Sequence, residues 1–165
     1  MRIIISFFGF CIAALAMTAG AHAQQLIDSY THWKVFTTTQ GGNKLCYIAS
    51  VPVKKTGNYT KRDDPYLLVT HRNSTTDEVS TSSGYSYKKN SDVVANIDKN
   101  RHKMFTKGEL AWAYDAAQDK SMIQQMIRGN TMVLKGTSWK GTTSTDTYSL
   151  SGFTAAYKRM KSVCK

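Results

Sequence analysis

The chain has 165 residues, and its 22 Lys and Arg against 11 Asp and Glu give a net charge of +11. This length suits one globular domain with a sizeable core. The charge favours anionic partners such as lipopolysaccharide, phospholipid head groups or nucleic acid. It argues against an inhibitor of a basic enzyme such as lysozyme, because two positive proteins repel each other.

The chain begins with the three parts of a secretory signal peptide. Arg2 supplies the positive charge, residues 3–17 are almost continuously apolar, and the tripeptide AHA at 21–23 has the small–x–small form that a signal peptidase accepts. The apolar run is shorter than the roughly 20 residues that a membrane-spanning helix needs. We therefore predict that cleavage after Ala23 leaves a single domain, residues 24–165, with a net charge of +10. An uncleaved membrane anchor is the alternative.

The expected mature domain opens with a β-hairpin. Residues 32–38 are rich in aromatic and β-branched side chains, residues 40–43 (QGGN) suit a hairpin turn, and residues 44–51 form the returning strand. That strand ends at Pro52, which cannot donate to a β-ladder. Residues 53–64 are polar and charged, and they predict a surface loop.

Five further strands are expected before the first helix. The solid apolar centre of residues 65–72 indicates a strand buried on both faces. In the next strand, residues 78–87, Gly84 indicates a bulge or a close approach of backbone. The other three strands are short: residues 91–97, 102–105 and 109–114. This succession predicts a mainly β fold, an antiparallel β-sandwich or barrel-like core, and not βαβ units.

Two short α-helices are predicted in the C-terminal half. Asp115 and Gln118 have the spacing of a capping box, an apolar stripe follows, and Gly129 can end the helix in the left-handed conformation. A Thr-rich hairpin comes next, over residues 131–138 and 142–148. The terminal helix is expected to be capped by Ser149 or Ser151. Its apolar side chains share one face: Leu150, Phe153, Tyr157, Met160 and Cys164.

Loss of the signal peptide would remove Cys11 and leave two cysteines. An even pair in an exported chain predicts a disulfide, here Cys46–Cys164. Closing a loop of 118 residues stabilises a fold by about 4–5 kcal/mol in the chain-entropy treatment, which is an upper bound. The alternatives are two free thiols, or a cysteine that pairs with another chain.

Little in the sequence points to catalysis or to a cofactor. His32, His71 and His102 lie at no metal-ligand spacing from another His, a Cys or a paired carboxylate. The chain also lacks a G-x-S-x-G elbow and a Gly-rich phosphate loop. We therefore predict no catalytic residue, no metal and no cofactor, with an unrecognised hydrolase as the alternative.

Lysines and tyrosines that alternate along the chain are candidates for surface binding, because they can neutralise and stack against an anionic ligand. The candidates are Lys54, Lys55, Lys61, Arg62, Tyr85, Tyr87, Lys88 and Lys89. The competing interpretation is a set of solvated lysines without a specific role. No base-reading helix or RNA-binding motif supports specific nucleic-acid recognition. Trp33, Trp112 and Trp139 are either core residues or the walls of a sugar or peptide groove.

Segments in both halves of the chain form a family pattern. They are Trp33-x-Val35-Phe36, Cys46-Tyr47, Pro52, Ala111-Trp112-Ala113, and residues 126–129, 132–138, 141–142 and 146–156. Together they resemble the invasion-associated locus B family over roughly residues 33–164, most specifically in YSLSGFTAA at 148–156. The resemblance implies an all-β core. It also implies a periplasmic or envelope protein of alphaproteobacteria, a link of some members with host-cell invasion or persistence, and no established enzymatic activity.

Some members of that family carry further cysteines before the first helix. Lys107-Gly108-Glu109 occupies that place here, so a second disulfide is not expected. We predict a periplasmic or secreted, non-catalytic protein that acts as a binding or envelope-supporting module related to invasion factors. The alternative is a secreted basic protein that binds anionic surfaces, such as lipopolysaccharide or a host surface.

Overall fold

The computed structural model describes residues 24–72 and 76–164, and the expected signal peptide lies outside this range. Within it the chain forms eleven strands and two helices. The strands are β1 (Gln25–Tyr30), β2 (Trp33–Gln40), β3 (Asn43–Ser50), β4 (Lys54–Gly57), β5 (Tyr66–His71), β6 (Asp77–Ser82), β7 (Asp92–Ile97), β8 (Asn100–Lys107), β9 (Leu110–Trp112), β10 (Thr131–Thr137) and β11 (Thr143–Ser149). The helices are α1 (Ala116–Arg128) and α2 (Phe153–Val163).

All strands join one antiparallel sheet in the order β1-β2-β3-β5-β6-β9-β8-β7-β10-β11-β4. The sheet is open, with β1 and β4 at its edges, and it folds over so that its two ends meet. The Trp33 indole N–H donates to the Ser149 carbonyl oxygen at 3.0 Å, which joins the start of β2 to the end of β11. The predicted antiparallel, sandwich-like β fold with two helices is therefore confirmed.

The inner face of the folded sheet holds the apolar core. Side chains alternate between this face and the outer face along each strand, as the period of two requires. The largest fully buried side chains are Trp33, Ile48, Leu67, Ile97, Met104, Met122, Met126, Met132, Leu134, Tyr148, Phe153 and Met160. Helix α2 packs against β1, β2 and β3, whereas α1 packs against β6 and β7. The two helices thereby cover the core.

The disulfide predicted from the cysteine count is present between Cys46 and Cys164. It joins β3 to the residue that ends α2, with a Cα–Cα distance of 6.0 Å. Phe153, at the other end of α2, packs edge-to-face on Trp33 with ring centroids 4.9 Å apart. Helix α2 is therefore attached to the sheet at both of its ends.

The ends of the helices differ from expectation at two glycines. Gly129 ends α1 in an extended conformation instead of the left-handed one, because the Asp98 carboxylate accepts the next two N–H groups, those of Asn130 and Thr131. The N-cap of α2 is Gly152 at φ +91°, and no serine side chain caps it. A Cβ at Gly152 would lie 2.2 Å from the Tyr30 carbonyl oxygen, so only glycine fits there.

Two stretches of the chain correct the predicted strand boundaries. The expected loop at 53–64 contains β4, a short edge strand that pairs with β11. The strand expected at 78–87 ends at Ser82, and beyond it Tyr87 makes a single bridge to Ser138. Gly84 is the predicted close approach: the Asp63 N–H donates to its carbonyl oxygen at 3.0 Å.

Candidate binding surfaces

The outer face of the sheet carries a groove of about 750 Å³ across β2, β3, β5, β6 and β9. Its floor consists of the small side chains Ala49, Thr70 and Ser80, which lie on neighbouring strands. Thr70 and Ser80 face outward, yet they are only 6% and 5% exposed. The floor is therefore shielded by larger side chains on both sides.

Aromatic pairs form the two walls of this groove. Phe36 stacks on Tyr47 across β2 and β3, with ring centroids 5.3 Å apart. On the opposite side Trp112 of β9 lines the groove, and Phe105 of β8 supports it from behind by stacking on its ring, with centroids 5.5 Å apart. The strands that carry Tyr47 and Trp112 are separated by β5 and β6, so these walls stand three strand spacings, about 14 Å, apart.

The prediction that residues 65–72 are buried on both faces of the sheet is wrong. The inner side chains of β5 are buried, but Tyr66 and Leu68 are half-buried and line the groove. An ion pair is the charged part of the lining: Arg72 donates from Nη2 to Glu78 Oε1 at 2.8 Å and from Nε to Oε2 at 3.3 Å. The groove thus combines aromatic walls, hydroxyl groups on its floor and one exposed charge pair.

A buried carboxyl group lies beside the groove, in the first turn of α1. Asp119 is 7% exposed, and its Oδ1 accepts a hydrogen bond from the Val79 N–H at 2.8 Å. Burial raises the pKa of Asp119 from 3.8 to about 6; the Val79 hydrogen bond opposes this rise, whereas the charges of Glu78 and Asp115 add to it. The hydrogen bond attaches α1 to β6.

A second surface, which we call the basic face, covers the outer side of β8, β7, β10, β11 and β4. Lys103, Val94, Lys135, Thr145 and Thr56 are paired in succession across these five strands. The adjacent row pairs Arg101, Asn96, Val133, Thr147 and Lys54 in the same way. All four cations of the two rows are exposed.

Short side chains, both polar and apolar, separate the cations of the basic face. Lys103 and Lys135 are separated by one strand, and therefore by about 10 Å, and Arg101 lies about 7 Å along β8 from Lys103. Asp92 at the margin pairs with Lys103 at 3.3 Å. The arrangement can contact several anionic groups at once, and Thr145 and Thr147 add hydroxyl groups on β11, between the strands of Lys135 and Lys54.

The residues predicted as surface contacts differ in their exposure. Lysines 54, 55, 61, 88 and 89 are exposed, as a surface role requires. Arg62 and Tyr87 are not available at the surface: the Arg62 side chain is 3% exposed and Tyr87 is buried. Tyr85 is half-buried. The predicted role in surface binding is therefore wrong for Arg62 and for Tyr87.

Arg62 is instead the centre of a buried polar cluster. Its guanidinium makes a bidentate ion pair with the Asp146 carboxylate, in which Nη1 donates to Oδ2 at 2.7 Å and Nη2 pairs with Oδ1. It also donates to the Ser83 carbonyl oxygen at 2.9 Å and lies over the Tyr59 ring. Burial opposes the charge of Arg62, but the hydrogen bonds and charge of Asp146 outweigh it and raise the arginine pKa. The pair holds the loop after β4 against β11.

Asp77 is the centre of a second polar cluster, next to the disulfide. It accepts hydrogen bonds from Tyr157 Oη at 2.6 Å and from Lys161 Nζ at 3.1 Å, and it pairs with His71 Nδ1 at 2.6 Å. Burial favours the neutral acid, but these contacts stabilise the carboxylate more and lower the pKa of Asp77. His71 is the register partner of Cys46. The Asp77 cluster therefore joins α2 to β5 and β6, at the same end of the helix as the disulfide.

Each tryptophan has a different environment. Trp33 belongs to the core, Trp112 forms a wall of the groove, and Trp139 is 65% exposed in the turn between β10 and β11. Within residues 24–72 and 76–164, no three His, Cys, Asp or Glu side chains are placed to share a metal ion. Neither of the two described helices is long and apolar enough to cross a bilayer.

Comparisons with known proteins agree with the pattern in the sequence. The crystal structure of invasion associated protein B from Bartonella henselae superposes with a TM-score of 0.63 and 16% identity, over 84% of this chain and 97% of that one. At this identity the likeness establishes the fold. No curated protein sequence matches the chain. The family pattern described as Invasion associated locus B (IalB) protein matches residues 33–161. This chain therefore belongs to the invasion associated locus B family.

Proposed function

We propose that this chain is an exported, non-catalytic protein of the cell envelope that binds an anionic component of the envelope or of a host surface. The observation that carries the proposal is the basic face, where Arg101, Lys103, Lys135 and Lys54 lie on alternate strands. Family membership and the disulfide support a place outside the cytoplasm, because disulfides persist in oxidising compartments. The name of the Bartonella protein supports a role connected with invasion.

Export is the first step of the proposal that an experiment can test. We expect residues 1–23 to be removed, so that the protein from periplasmic or secreted fractions begins at Gln24 and folds as one domain over residues 24–165. N-terminal sequencing of the protein purified from its native host measures this directly. An intact N-terminus would contradict the proposal.

The basic face is tested by binding to immobilised lipopolysaccharide. Each exposed lysine or arginine near an anionic surface contributes about 1 kcal/mol at physiological ionic strength. The triple variant Arg101→Gln/Lys103→Gln/Lys135→Gln should therefore bind at least about tenfold more weakly than the wild type. Retention of the wild type should fall steeply between about 0.05 and 0.5 M salt, because salt screens exposed charges.

A matched control separates the basic face from net charge alone. Lys34, Lys120 and Lys158 are exposed residues of β2, α1 and α2. Their triple substitution by glutamine removes the same total charge away from the basic face. It should retain most of the binding, whereas equal losses in both triple variants would refute a specific role for the face.

The groove supports a second candidate function, the capture of apolar side chains of a ligand. The supporting observation is the shielded floor between two aromatic walls, which resembles a pocket more than an ordinary sheet surface. Filling the floor with Ser80→Phe should lower the fluorescence of bound anilinonaphthalene sulfonate at least threefold. Unchanged fluorescence in the folded variant would eliminate the groove as a binding site.

A further inference from the structure

One end of the molecule combines an exposed tryptophan with a group of lysines, which we call the aromatic tip: Lys88, Lys89, Trp139 and Lys140. Trp139 is 65% exposed, and the Lys140 ammonium lies 5.1 Å from the centre of its ring. Lys88 and Lys89 are exposed in the turn before β7. What distinguishes Trp139 from the other exposed apolar side chains is the lysine side chains that accompany it at this end of the molecule.

Backbone hydrogen bonds join the two turns of the aromatic tip into one unit. The Lys88 N–H donates to the Thr137 carbonyl oxygen at 3.0 Å, and the Trp139 N–H donates to the Ser86 carbonyl oxygen at 2.9 Å. Within the hairpin, the Ser138 N–H donates to the Thr142 carbonyl oxygen at 2.8 Å. The tryptophan and the three ammonium groups are therefore presented together by ordered backbone.

The side chains behind the aromatic tip are fixed by packing. Tyr87 is buried, and its hydroxyl donates to Ser83 Oγ at 2.8 Å. Tyr85 packs edge-to-face on Tyr87 and shares a hydrogen bond of 2.7 Å with Ser144. The tyrosines predicted as ligand contacts thus serve as the support from which the lysines and Trp139 project.

The chemistry of the tip matches the boundary between lipid head groups and acyl chains. A tryptophan places its ring in the apolar layer and its indole N–H among polar head groups, while lysines extend toward phosphates. Glu109 is an acidic side chain at the margin; its Oε1 accepts from Ser86 Oγ at 3.4 Å. One acid against three lysines leaves the tip positive, which is complementary to an anionic membrane.

We propose that the aromatic tip inserts Trp139 into the surface of an anionic phospholipid bilayer while Lys88, Lys89 and Lys140 contact the lipid phosphates. This inference deepens the proposed function and rests on it in part, since it names a lipid surface as the anionic component. The hairpin of the tip continues β10, which carries Lys135 of the basic face. Insertion of one ring with a few ionic contacts gives reversible binding, not a permanent anchor.

Vesicles containing equal parts of phosphatidylglycerol and phosphatidylcholine test this proposal with the protein of residues 24–165. Binding should shift the tryptophan emission to shorter wavelength, and brominated lipids should quench part of it. Trp139→Ala should abolish both signals and weaken vesicle binding about tenfold or more. Leu26→Ala, which removes an exposed apolar side chain outside the aromatic tip, should keep both.

Three results would overturn the proposal. They are quenching that persists in Trp139→Ala, equal binding of the wild type and Trp139→Ala to the vesicles, and vesicle binding without a shift of the emission. Because Trp139 is in an exposed turn, its substitution should leave the folded circular dichroism spectrum unchanged, which excludes misfolding as the cause.

A soluble polyanion separates failure of this inference from failure of the proposed function. Trp139→Ala should bind linear inorganic polyphosphate within about twofold of the wild type, because the basic face remains. The triple variant Arg101→Gln/Lys103→Gln/Lys135→Gln should bind polyphosphate at least about tenfold more weakly than the wild type. If the wild type binds polyphosphate but not the vesicles, the lipid inference fails and the proposed function stands.

Discussion

The substitution Asp119→Asn should stabilise the protein at neutral pH. The carboxyl group is buried, and its pKa of about 6 in the folded protein exceeds the ordinary value of 3.8. Ionisation at pH 7 therefore weakens the fold. Two pKa units correspond to about 3 kcal/mol at most, and relaxation of the site reduces this to an expected gain of about 1–3 kcal/mol. Asparagine retains an oxygen that can accept the Val79 N–H.

The sign of the pH dependence follows from proton binding. Between about pH 4 and pH 6 the folded protein holds a proton on Asp119 that the unfolded chain has released, so this group's stabilising contribution falls as pH rises through that window. Asp119→Asn removes this dependence. The difference in stability between variant and wild type should therefore grow from pH 4 to pH 6 and stay constant above it.

Urea unfolding followed by tryptophan fluorescence measures this difference at half-unit steps from pH 4 to pH 8. Asp64→Asn is a suitable control, because the Asp64 side chain is 94% exposed and its charge does not contribute to the raised pKa of Asp119. That control should not stabilise the protein at pH 7. A difference between Asp119→Asn and wild type that does not change with pH, or a variant less stable than wild type at pH 7.5, would refute the reasoning.

Three further substitutions test the attachments that hold the fold. Cys46→Ser opens the 118-residue loop and should cost up to about 4–5 kcal/mol in urea unfolding; unchanged stability would show that the disulfide does not constrain the chain. Asp146→Asn leaves the Arg62 charge buried without its counter-ion and should cost about 3–5 kcal/mol, whereas a loss below 1 kcal/mol would contradict burial of the pair. Gly152→Ala should lower the melting temperature by several degrees, because its Cβ would meet the Tyr30 carbonyl oxygen; an unchanged melting temperature would contradict this contact.

Local signals in the sequence predicted the parts of the fold that depend on neighbouring residues. Gly41 and Gly42 form the turn between β2 and β3 at φ +57° and +80°, as a two-residue hairpin requires. Asp115 caps α1 by accepting the Gln118 N–H at 2.8 Å. The disulfide followed from the cysteine count, since two cysteines of an exported chain have one intramolecular pairing.

Features that depend on distant partners were not predictable in the same way. Arg62 and Asp146 are 84 positions apart, and nothing near Arg62 in the sequence distinguishes it from the exposed Lys61. One signal was available: Asp146 alternates with outward-facing threonines in β11, and an inward acid requires a partner. The residues of β4 are all polar or glycine, so the sequence shows no strand pattern there. The segment is a strand because it pairs with β11.

The binding surfaces needed the strand order as well as the strands. The basic face brings together Lys54, Arg101, Lys103 and Lys135 because β8, β7, β10, β11 and β4 are adjacent in the sheet. These residues are spread from position 54 to position 135 of the sequence, so their juxtaposition follows from topology alone. Of these four residues, only Lys54 is among the candidates for surface binding predicted from the sequence.

The salt dependence of polyphosphate binding tests the basic face most directly. Each cation that neutralises a phosphate on a single-stranded polyanion contributes about −0.7 to the slope of log binding constant against log salt concentration. Four cations predict a slope of about −3 for the wild type, and the variant lacking Arg101, Lys103 and Lys135 should fall to about −1. The same slope in both proteins would show that anions bind elsewhere, and it would contradict the proposed function of this face.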